Sequence, residues 1–357
     1  MERFVDGLGE IWENKWLTNY GPIVQRLEKL LADFHQTENI CVFCNGTQAL
    51  QIGLQGMNIS GDVITTPFTF VATTHTLYWN KLHPVFSDID SNYYTLDPEK
   101  VEEKITPWTT AILAVHVFGN PCNLQGLQDI ATKHNLILIY DAAHAYGVKI
   151  DDQSIAKSGD MSMFSLHATK LYHSFEGGIL TFRDQHLKKK LNYLKNFGFE
   201  NELEVVMPGT NAKMNEVQAL MGCLMLEYVD EIILKQKKIT DVYRERLRDV
   251  PGITMQREMQ GVQHNYSYMP ISLNQSEFGK SRDMLYKRLK EYNIITRRYF
   301  YPLICDYPCY RSIPVNDPLV VARKVSSEII TLPMYPDLEL EHVYRICDII
   351  EYVRGSN

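Results

Sequence analysis

Apolar residues along this chain follow two patterns. Residues 22 to 34 carry them at three- and four-residue spacing behind Pro22, which predicts a helix with a proline start. The runs 40–44, 62–66, 84–89, 111–117 and 136–140 are short and apolar without alternation, which predicts strands covered on both faces. Between them, Asn45, Gly46 and Thr47 turn the chain into a helix over Gln48 to Leu54, and a second helix is expected over Leu124 to His134. Strands alternating with helices place this part of the chain in the α/β class. Near residue 235 the pattern changes. A long helical stretch from Leu220 to about Leu247 leads into short strands, such as Tyr266 to Ile271, and further helices. This reads as a second, smaller α+β domain, with a large domain over 1–235 and a small one over 236–357.

The chain has 357 residues, too many for one small core and suited to this two-part division. Its net charge of −7 leaves no broad basic face for nucleic acid, although a local basic pocket for a phosphorylated small molecule is compatible with it. No stretch of about 18 apolar residues predicts a membrane span. The start, Met1 to Asp6, lacks the basic-then-apolar order of a signal peptide, so the chain reads as cytoplasmic. Seven cysteines, an odd number, do not suit a disulfide framework. Cys41 and Cys44 have no second pair or histidines at zinc spacing, and they read as small apolar residues near a strand.

Three polar features fall at predicted strand ends, where ligands bind in this fold class. Gly46 and Thr47 stand at a helix start. Backbone N–H groups there, beside a hydroxyl, suit a phosphate, and they equally make a plain helix cap. Asp141 closes the run 136–140 and is followed by Ala142, Ala143 and His144. A carboxylate at the end of a buried strand needs a partner. A protonated pyridine nitrogen would be one, and the backbone of a turn would be another. The third feature is Met163 to Lys170, followed by Ser174 to Gly178. Lys170 can form an imine with a carbonyl cofactor and, once released, move protons between substrate atoms. Ser165 is a candidate phosphate ligand. Taken alone, one lysine among 36 basic residues reads as solvated surface, so the order of all three features carries the inference.

The ordered set resembles the DegT-type sugar aminotransferases. The matching segments are Trp16 to Pro22, Asn45 to Leu50, Asp62 to Thr73, Asp141 to Gly147, Phe164 to Lys170, Gly209 to Met214 and Leu332 to Pro336, nearly the whole chain. The resemblance implies the aspartate-aminotransferase fold, fold type I, with a mixed, mostly parallel sheet in the large domain. It implies pyridoxal 5'-phosphate (PLP) as cofactor and Lys170 as the Schiff-base lysine. In the same way Asp141 would pair the pyridine nitrogen, and Gly46, Thr47 and Ser165 would bind the cofactor phosphate. Phe70 would stack on the ring, and His144 would stand where many relatives have a Gln that hydrogen-bonds the phenolic oxygen. Asn211 would reach the phosphate of the neighbouring subunit, which implies a homodimer with shared active sites. Family members that act as dehydratases have a histidine in place of the lysine. With Lys170 present, the implied reaction is transamination, in which L-glutamate gives up its amino group and leaves as 2-oxoglutarate.

Around Arg297 to Leu303, the sequence Tyr299-Phe300-Tyr301-Pro302 resembles family members that aminate dTDP-4-keto-6-deoxyglucose at carbon 4, to give dTDP-4-amino-4,6-dideoxyglucose for O-antigen polysaccharide. Arg298, Tyr299 and Tyr301 are the candidate substrate residues, with a guanidinium suited to gripping pyrophosphate. By residue type alone, Arg297 and Arg298 are equally exposed charges, and the tyrosines equally core. The rival readings are amination at carbon 3, another PLP reaction on an amino acid, a non-catalytic sensor of the same fold, and a generic nucleotide-binding α/β protein. The sensor reading is weakened because Lys170 and Asp141 are both kept. The last is weakened because neither a G-x-x-x-x-G-K-[ST] nor a G-x-G-x-x-G follows a strand.

Overall fold

A computed structural model describes residues 1–356. Its main sheet has seven strands: β1 (Ile40–Phe43), β2 (Asp62–Thr65), β3 (His83–Phe86), β4 (Thr109–Val115), β5 (Ile137–Asp141), β6 (Met161–Ser165) and β7 (Gly178–Phe182), in the spatial order β1-β7-β6-β5-β4-β2-β3. β7 runs antiparallel to both of its neighbours, and the other pairings are parallel. The sheet is therefore mixed and mostly parallel.

Its strands lack alternation because both faces are covered. On β1, Ile40 and Val42 pack into one core cluster, and Cys41 and Phe43 into another. On β5, Ile139 packs to one side while Leu138 and Tyr140 pack to the other. The helices behind these faces form close to where their periodicity places them, at Pro22–His35 and Leu124–His134. The helix after β1 is longer than expected, Gly46–Gly56, because Asn45 caps it and so draws Gly46 and Thr47 into its first turn.

The stretch expected as one helix from Leu220 to about Leu247 is two, Glu216–Leu226 and Val229–Leu247, interrupted at Glu227 and Tyr228. Neither glycine nor proline marks this break, so local sequence gives no sign of it. The second helix spans two cores. Val229 and Ile232 pack with the large sheet's cluster, whereas Ile239, Tyr243 and Leu247 pack in a cluster of the C-terminal lobe. The expected division after residue 235 falls inside this helix.

The C-terminal lobe is built on an antiparallel sheet of Ile253–Met255, Met269–Leu273 and Ile329–Leu332, packed with helices Arg282–Glu291 and Leu340–Gly355. The strand expected over Tyr266 to Ile271 starts only at Met269. The residues before it leave the ladder because the Tyr266 and Ser267 N–H groups donate to His264 Nδ1 and Asn265 Oδ1, at 3.0 and 3.3 Å. Asn265, fully buried, donates to the His144 and Tyr146 carbonyls of the large lobe at 2.8 and 3.0 Å. No helix among the described residues is long and apolar enough to cross a membrane.

Candidate active site

The candidate residues meet at the carboxyl ends of β5 and β6. Asp141 is the last residue of β5, in register with Val115 of β4 and Met163 of β6. It is 4% exposed. Its Oδ2 accepts from the Thr73 hydroxyl at 2.8 Å and its Oδ1 from the Ala143 N–H at 3.0 Å. Burial raises its pKa above the ordinary carboxylate value. The Thr73 and Ala143 hydrogen bonds and the charge of Lys170 oppose that rise without cancelling it. Asp141 is thus a desolvated carboxylate that accepts hydrogen bonds from neutral groups and has no hydrogen-bonded cation among the described residues.

Asn45 accepts the Gln48 N–H at 2.8 Å and so caps the helix that Gly46 opens. The Gly46 and Thr47 N–H groups lie in the first turn, where a helix cannot satisfy its own donors, and no described residue accepts from them. A Cβ on Gly46 would stand 3.1 Å from Ser165 Cβ and 3.2 Å from Ser165 Oγ. Only glycine lets these amides close on the hydroxyl at the end of β6. The Thr47 side chain is exposed beside them.

His144 follows Asp141 and is buried. The Phe118 N–H donates to its Nδ1 at 3.2 Å, so the ring proton of the neutral imidazole sits on Nε2. Burial, aided by the charge of Lys170, holds its pKa well below the ordinary imidazole value. The rings of Phe118 and Phe300 lie within 9° of parallel to it, with centroids 6.2 and 5.7 Å away. His144 is therefore a fixed, neutral donor at Nε2.

Lys170 sits on a turn after β6, its N–H bonded to the His167 carbonyl at 2.8 Å. Its Nζ donates to the Tyr268 hydroxyl at 3.0 Å. Phe70 stands at the N-cap of the helix Val71–Trp79, 57% exposed, and the first turn of that helix delivers Thr73 to Asp141. Phe70 also lines a cavity of about 240 Å³ with Arg297, Arg298, Tyr299, Phe300 and Tyr301. All three candidate substrate residues thus face one space with the candidate ring-stacking residue. Arg298 donates to Asp283 Oδ1 at 3.0 Å, and the buried Arg282 shares that oxygen at 2.7 Å. Two guanidinium groups against one carboxylate leave a net positive charge beside the cavity, which Arg298 itself lines. Asn211 makes no hydrogen bond to this group, although the Ala212 carbonyl beside it accepts the Cys44 N–H at 2.9 Å. Asn211 is exposed, and its side chain accepts from Lys213 Nζ at 2.9 Å.

Three site residues escaped the sequence reading. Thr73 lies inside a segment already singled out, and its place just past Phe70 at a helix start was the available signal. Tyr268 and Asn265 come from the other lobe. Tyr268 is 98 residues from Lys170 in sequence, and no local pattern links the two.

Residues 1–351 match the model of the DegT/DnrJ/EryC1/StrS aminotransferase family. The chain belongs to this family. Among curated family members it is similar to the dTDP-4-amino-4,6-dideoxy-D-glucose transaminase of Shigella dysenteriae, 44% identical over 99% of this chain and 94% of that one. The Escherichia coli transaminase of the same description is 41% identical over 98% and 95%. Among solved structures, that of DesI in the presence of its TDP-sugar product superimposes with a TM-score of 0.94 at 33% identity, covering 99% of this chain and 90% of that one.

As a member of this family the protein is a PLP-dependent sugar aminotransferase. Its own residues fit the cofactor. The unsatisfied Gly46 and Thr47 amides and the Ser165 hydroxyl form an anion cradle that a Cβ would fill. Asp141 is a buried carboxylate lacking the cation that a protonated pyridine would supply. His144 offers its one free donor, and Lys170 a primary amine.

Proposed function

We propose that this enzyme aminates dTDP-4-keto-6-deoxyglucose at carbon 4, giving dTDP-4-amino-4,6-dideoxyglucose, with L-glutamate as amino donor. The observation that carries this reading is full-length similarity, at 44% identity, to a transaminase named for that product, joined to a site in which Asp141, His144 and Lys170 keep complementary chemistry. The product is an amino sugar suited to O-antigen assembly, and the reaction belongs in the cytoplasm with its activated sugar.

The residue roles are part of the proposal. Gly46, Thr47 and Ser165 hold the cofactor phosphate, Asp141 keeps the pyridine nitrogen protonated, and Phe70 covers the ring. His144 donates from Nε2 to the phenolic oxygen. When bound, PLP supplies an electron-poor ring that stabilises negative charge on the carbon beside the amine. Lys170 would hold the cofactor through its amine and, with that amine free, would move a proton at the substrate carbon that bears the nitrogen. Phe118, Phe300 and Tyr268 keep water from the face on which the proton travels. Arg298, with Tyr299 and Tyr301, holds the sugar's diphosphate side in the cavity shared with Phe70.

The active unit in this reading is a homodimer, with Asn211 completing the phosphate site of the partner subunit. The segment beside Asn211 supports it. Phe197, Phe199, Val205 and Leu203, the last 98% exposed, present apolar surface of the kind that a partner covers.

The test is to incubate the enzyme with PLP, L-glutamate and a panel of nucleotide keto sugars, and to locate the new amine by NMR. Amination of the dTDP-4-keto sugar at carbon 4 is expected. Amine at carbon 3, or turnover of amino acid alone, overturns the proposal. In parallel, Lys170→Ala is expected to abolish turnover and to leave no cofactor attached to the protein after hydride trapping, read by mass spectrometry. Retained turnover would remove Lys170 from its role.

A further inference from the structure

The family's reaction accounts for Lys170 but not for the group that holds its amine. Tyr268 comes from the C-terminal lobe, one residue before the strand Met269–Leu273. Its hydroxyl stands 3.0 Å from Lys170 Nζ, and it is the only side-chain hydrogen-bond partner of that amine among the described residues. Its ring centroid lies 4.6 Å from that of His144 and 5.6 Å from that of Phe118, so the phenol is held by aromatic packing and not by a flexible stem. The backbone behind it is held as well. Asn265, three residues earlier and fully buried, donates to the carbonyls of His144 and Tyr146, on the loop that follows Asp141. The segment Asn265–Tyr268 therefore references the lysine amine to the same loop that carries Asp141 and His144.

We propose that Tyr268 is a positioning residue for the transamination, one that holds the free amine of Lys170 at its working place whenever that amine is not condensed with a carbonyl carbon. This rests on Lys170 being the reacting lysine. A phenol suits the task because one oxygen serves both states of the amine. It accepts an N–H from the ammonium and donates its O–H to the lone pair of the neutral amine. The lysine can then take up and release a proton without leaving its position, and no bond is formed or broken at Tyr268. His144 cannot share the task. Its Nδ1 is occupied by the Phe118 N–H, and its remaining nitrogen carries a proton. A four-carbon stem with one anchor at its tip loses much orientational freedom. Losing that anchor displaces the amine, and a displacement near 1 Å costs about 100-fold in rate.

The test is Tyr268→Phe, which keeps the ring and its contacts with His144 and Phe118. Two measurements are made. In the cofactor-free protein, the initial rate of acetylation at Lys170 is read by mass spectrometry against the exposed Lys189 as internal standard. With the hydroxyl gone, the amine loses its partner in either protonation state, and labelling is expected to rise at least about 3-fold relative to Lys189. In the holoenzyme, kcat is expected to fall about 100-fold with KM for the sugar within about 2-fold of wild type. Unchanged labelling overturns the proposal whatever the rate does, because Tyr268 then does not act through Lys170. Raised labelling with unchanged kcat overturns it too, because the amine then needs no holder. Neither result touches the reading of Lys170 itself, which stands or falls on hydride trapping in Lys170→Ala.

Discussion

Asp141 is destabilising where it is most useful. Its folded pKa is raised above the ordinary carboxylate value near 3.8, chiefly by burial. For an acid shifted this way, stability is fully present below the unfolded pKa and is lost as pH rises through the folded one. At neutral pH the cofactor-free protein therefore bears a net cost for burying this carboxyl group, only partly offset by Thr73, Ala143 and the Lys170 charge, and a pyridinium would offset it further. Asp141→Asn is expected to raise the melting temperature of the cofactor-free protein at pH 7, with the difference vanishing below about pH 4 as the aspartate of the wild type also becomes neutral. The same variant is expected to lose at least about 100-fold in kcat, because the ring is no longer held as a cation. Thermal melts with and without PLP at both pH values, together with steady-state rates, check both expectations. A melting temperature below wild type at neutral pH would show that Asp141 has a compensating partner.

At the scale of elements, the site depends on where one helix begins. Asn45 caps the helix Gly46–Gly56, so its first-turn amides open onto the end of β6, and Gly46 lets them approach Ser165. In Gly46→Ala the new Cβ would meet Ser165 Cβ at 3.1 Å and crowd the cradle. Alanine favours a helix, so the fold should hold. Cofactor affinity is expected to weaken about 10- to 100-fold, the equivalent of one hydrogen bond to a charged group. Equilibrium titration of the cofactor-free variant with PLP measures this, and wild-type affinity would remove the helix start from the phosphate site. This element was legible in sequence. The short apolar run, the Asn-Gly-Thr turn and the following periodicity marked its place, while a phosphate site and a plain helix cap both fitted the turn. The break at Glu227 and Tyr228 was not legible, because it follows from the helix passing between two cores and not from a residue that stops helices.

For the whole molecule, the question is whether one chain completes the site of another. Within one chain, Asn211 accepts from Lys213 and makes no hydrogen bond to the candidate site residues, and exposed apolar side chains lie on the neighbouring segment. If it serves the partner's phosphate site, Asn211→Ala and Lys170→Ala chains should complement each other. A mixed dimer contains one site with an intact lysine from one chain and an intact asparagine from the other. Refolding or co-expressing the two variants is expected to restore up to about half the wild-type activity per mixed dimer at limiting PLP, where Asn211→Ala alone is impaired. Activity no greater than the sum of the separate variants would mean that each chain holds its own complete site. The arrangement of lobes has a similar logic. The helix Val229–Leu247 and the Asn265 side chain both join the lobes, and the second joins them at the active site.

From sequence alone came the α/β class, five of the seven strands of the main sheet, and Asp141, Gly46, Ser165 and Lys170 as candidates at or near strand ends. Each of these follows from local rules, such as apolar runs set by burial on two faces, a cap before a helix, and polar residues at strand ends. The tertiary structure alone decided what those residues touch. It set the proton of His144 through the Phe118 backbone, gave Asp141 the Thr73 hydroxyl, and brought Tyr268 to the lysine from 98 residues away. Such contacts depend on how one lobe packs against the other. That packing is set by many buried side chains together, and no single stretch of sequence records it.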